Sequence, residues 1–317
     1  MDAFPHLLNA ILVIALIYAL AVLLRARNVL SEAHSLTLAL IVTDLCLPAM
    51  IFVSLAGHPV HLDQIGPALV MLGVELLCIA VAWGIADLLG FERAQRGAIV
   101  FCSAFGSSTF LGYSLILQMF PQSTAALSEG VLISEIGVGY PIFILGPILA
   151  THFGSDVPGR RFHWRASLDF FKSPVFFALF AGMLWGALRL PGEEQPMLAP
   201  FFQLGHVLAQ ALTPLAILSI GLLFRFPHPS RIILPLAIVV LLKLVLQPAL
   251  AGLFADQLGF PGLWKQVLTL LAAMPPAVLG AVFLKRYGGD AALASSLLLV
   301  ASLTSCVTLL GVFWFIG

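Results

Sequence analysis

Residues 104–114 read Ala104-Phe105-Gly106-Ser107-Ser108-Thr109-Phe110-Leu111-Gly112-Tyr113-Ser114, in the middle of an apolar run over residues 97–120. At about 1.5 Å per residue such a run crosses the roughly 30 Å of a bilayer's hydrocarbon. Its centre is nevertheless a poor helix. Two glycines weaken helical propensity, and the Ser/Thr cluster can bond backbone groups that an interrupted helix sets free. A second run, 264–285, carries Met274-Pro275-Pro276 near its middle, where missing N–H groups and ring clashes break a helix. Two helices broken at mid-membrane would aim two half-helix N-termini into one place, each with about half a positive charge. That arrangement suits a carboxylate. The competing reading is two kinked helices in a packed bundle, with Gly and Ser present only for close approach.

The rest of the chain sets these two stretches in a membrane. Of 317 residues, 61% are hydrophobic and 9% charged, and mean hydropathy is +1.07. A soluble domain carries about 25% charged residues, so soluble, disulfide-scaffold and disordered classes are excluded. Lys+Arg and Asp+Glu both number 15, which leaves no basic field for nucleic acid. Cys46, Cys78, Cys102 and Cys306 all fall in apolar runs without a C-x-x-C pair and read as small core residues. No metal or cofactor is expected. The first apolar run has its positive residues, Arg25 and Arg27, after it rather than before it, so it reads as a mature helix and not a cleaved signal.

Ten runs qualify as helices: 5–25, 35–57, 65–89, 97–120, 129–153, 174–190, 199–224, 231–254, 264–285 and 291–316. They are continuous and lack the alternation of barrel strands. Twelve of the 15 Lys and Arg lie in the connections after runs one, three, five, seven and nine. These connections are therefore expected in the cytoplasm, with both termini outside and the chain in an inner (plasma) membrane. Pro48 and Pro214 are 166 residues apart, as are Thr109 and Pro275; Glu75 and Lys243 are 168 apart. The shared offset predicts two inverted five-helix repeats, 1–153 and 174–317, joined by a cytoplasmic linker, 154–173. The fold class is thus an all-α polytopic membrane protein with ten transmembrane helices and broken, crossing helices four and nine.

Candidate substrate residues are Ser107, Ser108, Thr109, Met274, Pro275 and Pro276. Asp44, Glu75, Glu135 and Lys243 are ionisable within the runs, where a charge costs roughly 2.5–3.5 kcal/mol. The counter-ion of Lys243 is expected among Asp44, Glu75 and Glu135. Either the pair is inert and stitches helices together, or one acid binds a proton whose loss Lys243 favours. His206 stands alone in run seven and reads as a packing residue; Gly182 and Gly186 form a G-x-x-x-G for close packing, within or between protomers. No hydrolase motif, P-loop or nucleotide-binding domain is present. The chain reads as a transporter driven by an ion or substrate gradient; a channel or an intramembrane hydrolase are the alternatives from other classes.

Several segments in order carry a resemblance: Leu47-Pro48-Ala49-Met50-Ile51-Phe52, Phe105-Gly106 through Gly112, Ser173-Pro174 to Gly182, and Leu212-Thr213-Pro214-Leu215-Ala216 with Ile220-Gly221. Lys243 with Gln247-Pro248, Met274-Pro275-Pro276, and Tyr287-Gly288-Gly289-Asp290 with Ala294-Ser295-Ser296 complete it. Over nearly its whole length the chain resembles the auxin efflux carrier family, as a short bacterial-type member. The resemblance implies ten helices in inverted repeats, a substrate site where helices four and nine cross, and a scaffold of helices one, two, six and seven through which a homodimer can form. It implies small organic anions as substrates, auxins or dicarboxylates. The family's Gly-Asn-Thr-Gly is replaced here, with Ser107 in the Asn position, and Tyr113-Ser114 stands where a Pro usually follows. A sodium-coupled symporter of the bile-acid type is the nearest mechanistic alternative.

Overall fold

In the computed structural model residues 3–57, 65–154, 172, 174–222 and 229–316 are described. Most of the connection 154–173, including Arg160, Arg161 and Arg165, lies outside them, as does Arg225. The described chain is helical, apart from turns and one isolated antiparallel bridge between Gly106 and Pro276. Helix occupies each of the ten apolar runs. Ile65–Leu88, Ala125–Phe153, Ala199–Ser219, Ile232–Gln257 and Ala291–Val312 are long and apolar enough to cross a membrane. Large aliphatic side chains stand on the outside of these helices, Val207 at 62% and Val307 at 70% exposure. A surface of this kind is stable against hydrocarbon, where every backbone group must be satisfied within the helix. The protein is an all-helical integral membrane protein.

Among the described residues four helical stretches widen locally to π geometry: Val42–Cys46, Ser108–Gly112, Glu135–Gly139 and Val240–Leu246. Three of these are followed, two residues on, by Pro48, Pro141 and Pro248. A proline ring clashes with the carbonyl four residues back, and its missing N–H removes the bond that carbonyl would have accepted. Those carbonyls belong to Asp44, Gly137 and Leu244, each inside its π segment. Slipping one residue to an i→i+5 pattern relieves the clash without ending the helix. The same segments carry three of the ionisable residues singled out above, Asp44, Glu135 and Lys243.

The chain divides into two compact units, each drawing on both halves of the sequence. The first comprises Met1–Gln64, Tyr113–Val131 and Leu168–Phe224. In it Gly182 packs against the Phe52 backbone and Leu55, so the G-x-x-x-G serves contact within the protomer. Phe52 is ringed by Trp185, Phe201 and Phe202. Ser35 and Ser219 exchange bonds, each hydroxyl donating to the other's carbonyl at 2.7 and 2.8 Å. Arg25 donates to the Leu222 carbonyl at 2.9 Å, where a cation meets the negative end of helix Ala199–Leu222. His206 is not the packed residue its sequence setting suggests. It is exposed and lies 3.4 Å from Glu193.

The second unit comprises Ile65–Gly112, Leu132–Ser167 and Arg225–Gly317. Its core is built from Val74, Cys78, Ala82, Phe101, Phe105, Val239 and Leu297 among others. Small residues at Ala82, Ala86, Ala98 and Ala104 let these helices approach closely. At the edge of the unit Arg96 pairs with Asp87, and Lys265 with Asp256 at 2.7 Å. Both broken runs meet inside it.

Candidate functional site

Helix Arg93–Ala104 stops because Phe105 turns extended, with φ −82° and ψ 121°. Helix Gly262–Ala272 stops just before Met274-Pro275-Pro276, and the next helix, Val278–Tyr287, starts after an extended Ala277. The two extended pieces lie antiparallel. The Ser107 N–H donates to the Pro275 carbonyl at 2.7 Å, and the Ala277 N–H to the Phe105 carbonyl at 2.9 Å. Pro275 and Pro276 have no N–H to satisfy, and this short bridge satisfies those of Ser107 and Ala277 at the break. Ser107, Ser108, Met274, Pro275 and Pro276 are brought together here and are buried, with Thr109 half-buried beside them.

The C-terminal ends of the half-helices are capped by one residue pair. Lys243 Nζ donates to the Ala272 carbonyl at 2.8 Å and to Gln247 Oε1 at 2.5 Å. Gln247 Nε2 in turn donates to the Ala104 carbonyl at 3.2 Å. A cation at a helix C-terminus meets the negative end of the macrodipole and satisfies an orphan carbonyl. The N-terminal ends of Ser108–Gly112 and Val278–Tyr287 keep their first amides free of such capping partners in their own helices. Lys243 thus closes the carbonyl end at Ala272 and Gln247 the one at Ala104, while the amide ends carry the positive poles of the half-helices.

Gly106 makes this packing possible. A Cβ there would lie 2.8 Å from Lys243 Nζ and 3.0 Å from its Cε. Gly106→Ala should therefore push the ammonium off its carbonyl. We expect a loss of about 1–3 kcal/mol of stability, read as a lowered melting temperature in detergent. A melting point equal to wild type would show that Lys243 is not held by this contact.

Glu75 is fully buried on helix Ile65–Leu88, and its carboxylate oxygens make no hydrogen bond. The Lys243 charge and the Gly106 amide act on it electrostatically from beyond hydrogen-bond reach. Of the three acids expected as counter-ion, Glu75 is the one placed in the field of Lys243. Glu135 is buried elsewhere in the same unit, and Thr109 donates to it at 3.4 Å. Asp44 is exposed and belongs to the first unit.

Sequence reading missed Ser134 and Glu129, and named Gln247 only within a matching segment without giving it a role. Gln247 sits one turn after Lys243 and directly before Pro248, so a polar pair beside a proline was its signal. Ser134 precedes Glu135 and bonds Ser108 at 2.7 Å. Glu129 is buried at the start of run five.

The sequence pattern of the membrane transport protein family matches residues 6–153 and 162–313. An uncharacterized transporter of Methanothermobacter thermautotrophicus is 28% identical over 310 residues, covering 95% of both chains. A second, from Methanocaldococcus jannaschii, is 24% identical over 311 residues, 95% of this chain and 96% of its own. A Rhizobium meliloti protein named "Putative malonate transporter" is 26% identical over 276 residues, 86% of this chain and 84% of its own. The chain belongs to the membrane transport protein family, that of the auxin efflux carriers, and is a membrane transporter rather than an enzyme.

Proposed function

We propose that the protein carries a small organic anion across the membrane by alternating access, binding it where the two broken helices cross. The observation that carries this reading is the asymmetric capping. Lys243 and Gln247 occupy the carbonyl ends of the broken helices, while the amide ends beginning at Ser108 and Val278 face the crossover. A carboxylate is the ligand such ends favour. The malonate in the Rhizobium relative's name supports a dicarboxylate.

On this reading the chain has ten transmembrane helices in inverted repeats, 1–153 and 174–317. Positive-φ residues support the repeat. Gly90 and Gly259 close runs three and eight, 169 residues apart, and Asn28 and Arg189 close runs one and six, 161 apart. The first compact unit holds runs one, two, six and seven together with Tyr113–Val131, and a scaffold of those four runs would join a homodimer. Transport would be driven by a proton or substrate gradient, with Glu75, Glu135, Asp44 and Lys243 as the groups that can couple it. Uptake of malonate and other carboxylates into sealed proteoliposomes, under separate proton and sodium gradients, tests the function. Accumulation with sodium alone would instead support a bile-acid-type symporter.

Two further outcomes follow. Single cysteines at positions 161 and 193 should label from opposite sides with an impermeant reagent, 161 from the cytoplasm. Labelling of both from one side would end the ten-helix topology. Glu75→Gln, a fixed mimic of the neutral acid, should lose proton-driven accumulation yet keep substrate exchange; normal proton coupling in this variant would take Glu75 out of the mechanism.

A further inference from the structure

Beside the crossover a second polar group runs from one π segment to another. Ser108 Oγ and Ser134 Oγ are 2.7 Å apart, Ser134 Oγ and Thr109 Oγ1 3.3 Å, and Thr109 Oγ1 and Glu135 Oε1 3.4 Å. Ser108, Ser134 and Glu135 are 1%, 0% and 2% exposed, so each hydroxyl proton must find its acceptor inside the protein. Gly139 leaves room for the acid: a Cβ there would stand 2.7 Å from Glu135 Oε2. Ser108 is next to Ser107, whose N–H is bonded into the crossover.

We propose that this hydroxyl chain reports the protonation state of Glu135 to the crossover, so that a proton taken up by Glu135 turns Ser108 into a hydrogen-bond donor toward the anion. The inference rests on the anion reading given above.

Each hydroxyl has one proton and rotates to suit its neighbours. When Glu135 is ionised it accepts from Thr109. Thr109 then accepts from Ser134, and Ser134 from Ser108, so every O–H points toward the acid. When Glu135 takes a proton from water it donates to Thr109. Thr109 now donates to Ser134 and Ser134 to Ser108, so the Ser108 O–H is released to point into the crossover. No proton travels along the chain; three O–H bonds turn. An anion gains one charge-assisted hydrogen bond only when Glu135 is neutral, about tenfold in affinity. By linkage the bound anion favours proton uptake at Glu135 by the same factor.

Other titratable groups near the Glu135–Gly139 segment must be separated from Glu135. On helix Ile65–Leu88, Glu75 and Cys78 are buried, while Asp87 is about three turns beyond Glu75 and paired with Arg96. His152 is at the far end of Tyr140–Phe153, and Glu129 stands six residues before Glu135. Lys243 acts on Glu75.

The test uses the full chain in lipid nanodiscs, in a Glu75→Gln background. Infrared difference spectra against pH would assign the Glu135 carboxyl band as the one lost in Glu135→Gln. Thr109→Val and Ser134→Ala, both near-isosteric, should shift that band and its pH midpoint, and Thr109→Ser should restore them. Malonate should bind the wild-type hydroxyl chain about tenfold more tightly on the acid side of the Glu135 transition. The Thr109→Val variant should bind it without that ratio; malonate's own titration is common to both proteins and cancels. A band unchanged in Thr109→Val and Ser134→Ala, with malonate still bound, overturns the proposal and leaves the anion reading standing. Shifted bands with no malonate bound on either side of the transition overturn the reading of the crossover itself.

Discussion

Lys243→Ala should destabilise the protein by about 3–5 kcal/mol, the usual consequence of removing one member of a buried charged group. The alanine variant loses three interactions together. The Ala272 carbonyl and Gln247 Oε1 lose their donor, and Glu75 loses the positive charge that acts on it. An unsatisfied buried acceptor alone costs about 1–3 kcal/mol. With half-helix Gly262–Ala272 no longer capped at Ala272, the antiparallel pairing of Ser107 with Pro275 should loosen. The expected readout is a fall in melting temperature on the order of 10 °C and a loss of carboxylate binding in whatever protein survives. Lys243→Met, which keeps the length of the side chain, isolates the charge. Combining it with Glu75→Gln removes both charges and should recover part of the stability. A Lys243→Ala protein as stable as wild type would mean that the half-helix end finds another donor and that the lysine has no structural role.

Ser107→Leu should abolish anion binding. The Ser107 N–H is committed to Pro275, so the substitution keeps the backbone bridge and adds bulk only where an anion would approach the half-helix amides. Because Ser107 is 5% exposed, the larger side chain also strains its packing, by about 1–3 kcal/mol. Ser107→Ala separates the two effects, since it removes the hydroxyl and adds no volume. Binding of malonate, measured with purified protein of confirmed melting temperature, should be absent in the leucine variant and retained in the alanine one. Unchanged affinity in a folded Ser107→Leu protein would place the anion elsewhere.

Both expectations depend on residues that differ in how visible they are along the chain. Ser107 and Pro275 are legible because their signals are local. A run of small and hydroxyl residues, or a proline pair, breaks a helix through its own backbone chemistry whatever surrounds it. Asp44, Glu75, Glu135 and Lys243 stand out for a similar reason, as charges within apolar runs. Gln247 carries a weaker mark, its place one turn after Lys243 and directly before Pro248. An amide in a helix is unremarkable until the Ala104 carbonyl is found 143 residues away in sequence and 3.2 Å away in space.

The sequence by itself determined the membrane class, the ten helical runs and the two breaks, since hydrophobic length and proline geometry act over a turn or two of chain. It also contained three of the π segments, written in Pro48, Pro141 and Pro248, although of these only Pro48 was read, as a marker of a repeat. Only the tertiary structure decided which charges share a neighbourhood. Asp44 and Glu135 were equal candidates to face Lys243, yet a π turn leaves Asp44 exposed in one unit, and Glu135 turns to Thr109 in the other. Glu75 came within the field of Lys243 because both side chains are buried in the second unit, where Gly106 leaves room for the ammonium. Partner choice depends on the azimuth of each residue about its helix and on which helices meet. A one-residue slip at a proline rotates that azimuth by about 100°, a change that no composition or spacing along the chain records.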